Sequence, residues 1–134
     1  MGARTLGIDK IQRFIDQALF VRKYFQEKEG RTILSEFSRI NLSFDKDPKL
    51  LDHIWGRFHI VMAVAFLHHV KPVEKVAEHF SRIATEKIIV RLVKNKGMSD
   101  VVFKQSMKDL GWKITHDDLI ASPKLGRYFV VYEK

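Results

Sequence analysis

The sequence predicts one α/β domain: an open, mostly parallel sheet with helices on both faces, finished by an antiparallel hairpin at one edge. Three observations carry this. Short apolar extended runs alternate with helical stripes along the chain. Phe58 to Leu67 holds almost nothing polar after His59, the composition of a strand covered on both faces. The last two extended runs, Trp112 to Ala121 and Arg127 to Glu133, are joined only by residues 122–126, too short a link for a parallel crossover, so they must pair antiparallel.

Each element has its own signal. Thr5 to Asp9 is a short apolar run ending in an acid, read as a strand. Ile11, Phe14, Ile15, Ala18, Leu19 and Phe25 then mark a helical stripe that stops near Gly30. Thr32 to Phe37 is strand-like, and Ile40, Leu42 and Phe44 alternate with polar residues in a second short extended piece. Asp45 or Asp47 with Pro48 opens a short helix through Trp55, stopped by Gly56. After the apolar strand and His68-His69, Pro72 opens a helix whose buried face is Val73, Val76, Ala77, Phe80 and Ile83. Ile88 to Val93 is a β-branched strand. Ser99 or Asp100 caps a helix that ends at Gly111.

Composition sets the outer limits. The chain has 134 residues, 46% hydrophobic and 30% charged, which suits one globular domain and excludes a disordered polycation. There is no cysteine, hence no disulfide framework and no thiolate metal site. The longest apolar run, residues 60–67, is far shorter than the roughly 20 residues a spanning helix needs, so the expectation is a cytoplasmic protein with no membrane partner. A net charge of +8 points toward polyanions such as RNA. The excess is spread along the chain, however, with no basic run longer than two, as on a mixed solvated surface.

The seven glycines are too dispersed to form a phosphate-cradling loop, and no Walker, G-x-G-x-x-G, G-x-S-x-G or H-E-x-x-H pattern is present. Two places remain. Asp9 stands at a strand's carboxyl end, where an acid either accepts the hydroxyls of a ribose or caps the following helix. His68 and His69 end the apolar strand, where an imidazole either moves a proton near neutral pH or is an ordinary loop histidine.

Taken in order, the run from Phe58 through Ala65-Phe66-Leu67-His68-His69-Val70, a helix, and then Glu86-Lys87-Ile88-Ile89-Val90 resemble two strands of class I S-adenosylmethionine-dependent methyltransferases. These are the fourth and fifth strands of that Rossmann-like fold, and in many members the fourth also ends in Leu-His-His. Leu6-Gly7-Ile8-Asp9 looks like the second strand, and Ser99 to Glu133 is similar to the closing helix and antiparallel strands. The resemblance spans residues 5–133. It implies S-adenosylmethionine as cofactor, with Asp9 on its ribose, Ser38 beside its adenine, and Phe66 and Leu67 near its methionine end. It implies His68 and His69 as catalytic residues, either one a base for an oxygen acceptor.

The departures define the second expectation. The family's first strand and glycine-rich turn precede the second strand, and only eight residues precede Asp9 here. The family's acid after the third strand is absent at Ser38, His59 replaces another, and no Asp-Pro-Pro-Tyr motif is present. The first strand is therefore expected to be missing from between the second and fourth. The gap would close up, be filled by a partner chain or by self-association, or mark the C-terminal portion of a longer enzyme. The rival expectation is a non-catalytic scaffold of the same fold, or an RNA-binding module.

Overall fold

A computed structural model describes residues 3–40, 56–64, 67–94 and 97–134, with the backbone alone of His68. The expected extended piece at 40–44 and the helix at 48–55 fall mainly outside these residues. The chain divides into two compact units, Met1–Leu42 and Ser43–Lys134.

The first unit is a β-α-β element. Strand β1 (Thr5–Asp9) leads into α1 (Gln12–Glu29) and then β2 (Ser35–Arg39), which pairs with β1 in parallel. Thus β2 begins and ends later than the expected 32–37. Helix α1 closes on Gly30 at φ 64°, the left-handed conformation in which glycine carries no steric cost. Arg22 reaches from α1 to the Ser35 carbonyl at 2.6 Å and ties the helix to the sheet. Of the expected stripe only Ile15 is fully buried, while Phe14 and Phe25 stay exposed. The reason is dimensional: an 18-residue helix is about 27 Å long, and two five-residue strands span about 17 Å.

The second unit holds a four-stranded sheet in the order β3-β4-β6-β5. Its elements are β3 (Phe58–Val64), a 3₁₀ turn (Leu67–His69), α2 (Val73–Ile83), β4 (Ala84–Val93), α3 (Ser99–Asp109), β5 (Lys113–Asp117), α4 (Asp118–Ala121) and β6 (Arg127–Glu133). β3 and β4 are parallel, and β6 pairs antiparallel with β4 and β5. The expected face of α2 is the observed one, with Val73, Val76, Ala77, Phe80 and Ile83 all buried, joined by His79. The core lies where these side chains meet Ile88, Val90 and Leu92 of β4, Phe103 and Met107 of α3, and Tyr128, Val130 and Tyr132 of β6.

The fold is therefore α/β, rich in parallel pairing and closed by an antiparallel strand, as the alternation predicts. Four local expectations are corrected. β4 starts at Ala84, directly after α2, rather than at Ile88. The run from Trp112 is strand only to Asp117, because the Asp117 carboxylate accepts from the Leu119 amide at 2.9 Å and caps α4. Neither Ser99 nor Asp100 caps α3: the cap is Met98 in the left-handed region, and Asp100 is buried in the first turn. Lastly, β3 is covered on one face only, since Ile60, Met62 and Val64 are exposed. Among the described residues β1 pairs only with β2, and β3 only with β4.

Candidate functional site

In parallel α/β sheets the carboxyl ends of strands carry the ligand-facing groups, because the following loops and helix N-termini gather there. In the first unit that end presents Asp9 and Ser38. The register pairs Ile8 with Ser38 and Asp9 with Arg39, so the last residues of β1 and β2 lie side by side. Asp9 Oδ1 accepts the Ile11 amide at 2.7 Å, and the Asp9 carbonyl accepts the Ile40 amide at 2.8 Å. The carboxylate thus closes a local turn just ahead of α1 without capping it, since the N-cap is Ile11 and carries no side-chain cap bond, and the Asp9 side chain stays half-exposed. Arg39 turns back to donate to the Lys10 carbonyl at 3.2 Å. Ser38 is half-exposed one residue before it.

Gly7 fixes how tightly this strand pair is built. A Cβ there would lie 2.6 Å from Cδ1 and 2.8 Å from Cε1 of Phe37, its register partner. The Phe37 ring occupies the space that a side chain on β1 would need.

In the second unit the corresponding strand end is the turn Leu67–His69 after β3. Leu67 is 3% exposed and serves as an anchor in the core, with its carbonyl accepting the Val70 amide at 3.4 Å. His69 is exposed. Phe66 and the His68 side chain lie outside the described residues.

A buried polar cluster escaped the sequence reading. Asp100 Oδ2 accepts the Tyr128 hydroxyl at 3.0 Å, Lys104 Nζ stands 4.6 Å from the Tyr128 ring centroid, and the same ammonium meets Asp117 Oδ2 at 2.6 Å. Burial, and then the Asp100 carboxylate, push the Tyr128 hydroxyl well above the ordinary tyrosine range, so it remains a donor. The cluster joins the first turn of α3 to β6 and to the end of β5, and its geometry is that of a brace. Each acid read singly looks like a helix cap. Only the tertiary fold shows that Asp100 has a tyrosine partner 28 residues away.

No protein-family profile and no curated protein sequence matches the chain. Solved structures do. Magnesium protoporphyrin IX methyltransferase from Synechocystis PCC 6803, with SAM bound, superposes with a TM-score of 0.68 at 15% identity, over 99% of this chain and 60% of that one. Aeropyrum pernix fibrillarin with natively bound S-adenosyl-L-methionine gives 0.67 at 10% identity, over 96% and 55%. The [4+2]-cyclase SpnF gives 0.66 at 13%, over 98% and 66%. The chain thus spans less than two thirds of the length of these structures. At these identities the likeness defines the class of fold, that of the class I S-adenosylmethionine-dependent methyltransferases, and the presence of a cyclase among the neighbours shows that this fold serves more than one reaction.

Proposed function

We propose that the chain is part of an S-adenosylmethionine-dependent methyltransferase, with residues 1–134 acting as a single domain that is incomplete until the strand preceding β1 in the family order is supplied. The observation that supports this reading is the position of Asp9 at the carboxyl end of β1, beside the end of the parallel strand β2 that carries Ser38. This comes with a fold whose neighbours include SAM-bound enzymes.

The residues present suit one part of the cofactor. Asp9 spends one carboxylate oxygen on the Ile11 amide, and the other has no partner among the described residues, leaving an acceptor for a ribose hydroxyl. Ser38 would border the adenine, and Phe66 and Leu67 the methionine end. Gly7 does not leave its backbone open to a phosphate or a sulfonium as a glycine-rich turn would, since Phe37 covers it. When bound, the cofactor supplies a sulfonium-linked methyl group for in-line transfer. The chain contributes positioning, exclusion of water and, at His69 or His68, a base for the acceptor's proton.

Calorimetric titration with S-adenosylhomocysteine tests the reading. Binding that Asp9→Ala weakens supports it. No binding, even with the missing strand provided, sinks it. Loss of turnover in His69→Ala with binding retained would assign the base.

A second reading has its own observation. Lys104, Lys108 and Lys113 border a groove of about 550 Å³ between α3 and β5, together with Val101 and Ile114. This favours a non-catalytic module that holds RNA. Its mark would be an RNA affinity that falls steeply with salt and drops further in Lys108→Glu/Lys113→Glu, without any cofactor binding.

A further inference from the structure

Helix α1 and strand β2 border a groove of about 380 Å³ that neither Asp9 nor Ser38 lines. Its helix wall is Gln17, Ala18, Val21, Arg22 and Phe25, spaced as one helical face, and its sheet wall is Ile33, Ser35 and Phe37. Gln17 to Phe25 spans about 12 Å of helix, so the groove is elongated along α1. Val21 is 50% and Phe25 40% exposed.

Arg22 is the one charged side chain among the described residues that line this groove, and it is incompletely satisfied. Its Nη1 donates to the Ser35 carbonyl at 2.6 Å, a neutral acceptor. Its Nε is shut off from water with no acceptor, and no carboxylate among the described residues pairs with the guanidinium. The residues one turn away on α1, namely Ala18, Leu19, Phe25 and Gln26, are all uncharged. A half-buried cation with an idle donor and no counter-ion is costly unless something supplies the missing anion.

We propose that the groove binds a free aliphatic carboxylic acid of medium chain length, its carboxylate on Arg22 and its chain along Ala18, Val21 and Phe37. With Nη1 held by Ser35, the Nε–Nη2 edge of the fork remains, and its two parallel N–H donors match the two oxygens of a carboxylate. The volume lies at the small end of those that hold small molecules, and an elongated apolar wall suits a flexible chain. No second Lys or Arg lines the groove to share a doubly charged phosphate, so a monoanion fits best. This ligand is additional to the cofactor and uses none of the residues assigned to it.

The strand expected ahead of β1 does not account for the groove. It would join the edge of β1 that faces away from β2, whereas the sheet wall here is β2 and the residue run leading into it. A second copy of the chain would bring another Arg22 and not an anion, and each copy carries a net charge of +8.

The probe is decanoate below its micelle concentration, with octanoate, 1-decanol and decyltrimethylammonium for comparison. Binding to the full chain is followed by calorimetry, and backbone amides at 17–25 and 33–37 by hydrogen exchange. The expected result is micromolar binding of decanoate that slows exchange in both segments, several-fold weaker binding of octanoate as methylenes are lost, and at least tenfold weaker binding of 1-decanol. Val21→Glu, at an exposed position, should weaken decanoate about tenfold by setting a like charge beside the carboxylate, with the circular dichroism spectrum unchanged. Arg22→Lys keeps the charge but loses the fork and should weaken it to a similar extent. Four results would overturn the proposal: no binding below the micelle concentration, 1-decanol or decyltrimethylammonium binding as tightly as decanoate, slowed exchange confined to residues 58–134, or Val21→Glu binding decanoate as the parent does. None of these depends on whether S-adenosylhomocysteine binds.

Discussion

Gly7 is fixed by its neighbour across the sheet, because Phe37 lies where its side chain would be. Gly7→Ala should destabilise the first unit by about 1–3 kcal/mol, the usual cost of overfilling a packed site. Phe37→Leu in the same chain should return part of that loss, a coupling that denaturant midpoints of the two single variants and the double variant would measure. Asp118 gives a test of a different kind. The Phe129 amide, and then His116 at 2.6 Å, hold its carboxyl below the ordinary carboxylate range. A carboxyl lowered in the folded state contributes stability above its unfolded value, near pH 4, and loses it as pH falls through the folded value. Asp118→Asn should therefore lower the urea midpoint at pH 7, and the gap from the parent chain should narrow steadily below pH 4. Added salt should reduce the pH 7 difference, since the group lies at the surface.

At the scale of elements, the two faces of β3 should respond in opposite ways to the same change. Lysine at Met62 should leave stability within about 0.5 kcal/mol of the parent, because that side chain is 65% exposed and a lysine there keeps its charge in water. Lysine at Ala63, 3% exposed, buries an unpaired charge and should prevent folding at 25 °C, which thermal melts of the two variants would show. This asymmetry is the point at which sequence and structure part. An apolar strand such as Phe58 to Val64 signals two covered faces, and it is silent about whether both covers belong to the same chain. Where local rules suffice, the elements were legible: Pro72 and the spacing of Val73, Val76, Phe80 and Ile83 define α2, and Gly30 ends α1. The ends of strands were less so. β5 stops at Asp117 because one carboxylate captures the Leu119 amide, an outcome that hydrophobic patterning does not register. Of the candidate site, Asp9 was legible by position alone, since an acid closing a short apolar run marks a strand end whichever role it plays. Asp100 was misread, because its partner Tyr128 is distant in sequence.

For the whole molecule, the core is very unevenly shared. Within residues 3–40 the only fully buried side chain is Ile15, whereas the second unit buries Phe80, Ile88, Phe103, Tyr128 and Tyr132 among others. A two-stranded sheet with one helix is marginal by itself, and chains of about 40 residues seldom bury enough apolar surface to offset their conformational entropy. The two units should therefore differ in local stability. Backbone amides of β1 and β2 should exchange by local opening, with little dependence on denaturant. Those of β4 and β6 should exchange only through global unfolding. Mass-resolved exchange at several urea concentrations separates the two regimes, and equal protection in β1 and β4 would contradict the account. The same experiment bears on function, because Asp9 and Ser38 belong to the less stable unit. A ligand that binds only the ordered form stabilises it by RT ln(1 + [L]/Kd), about 2.7 kcal/mol at a hundredfold excess over Kd. S-adenosylhomocysteine at that excess should slow exchange in β1 and β2 by about a hundredfold while hardly changing β6, whereas a ligand held in the lysine-bordered groove between α3 and β5 would leave β1 and β2 as they were.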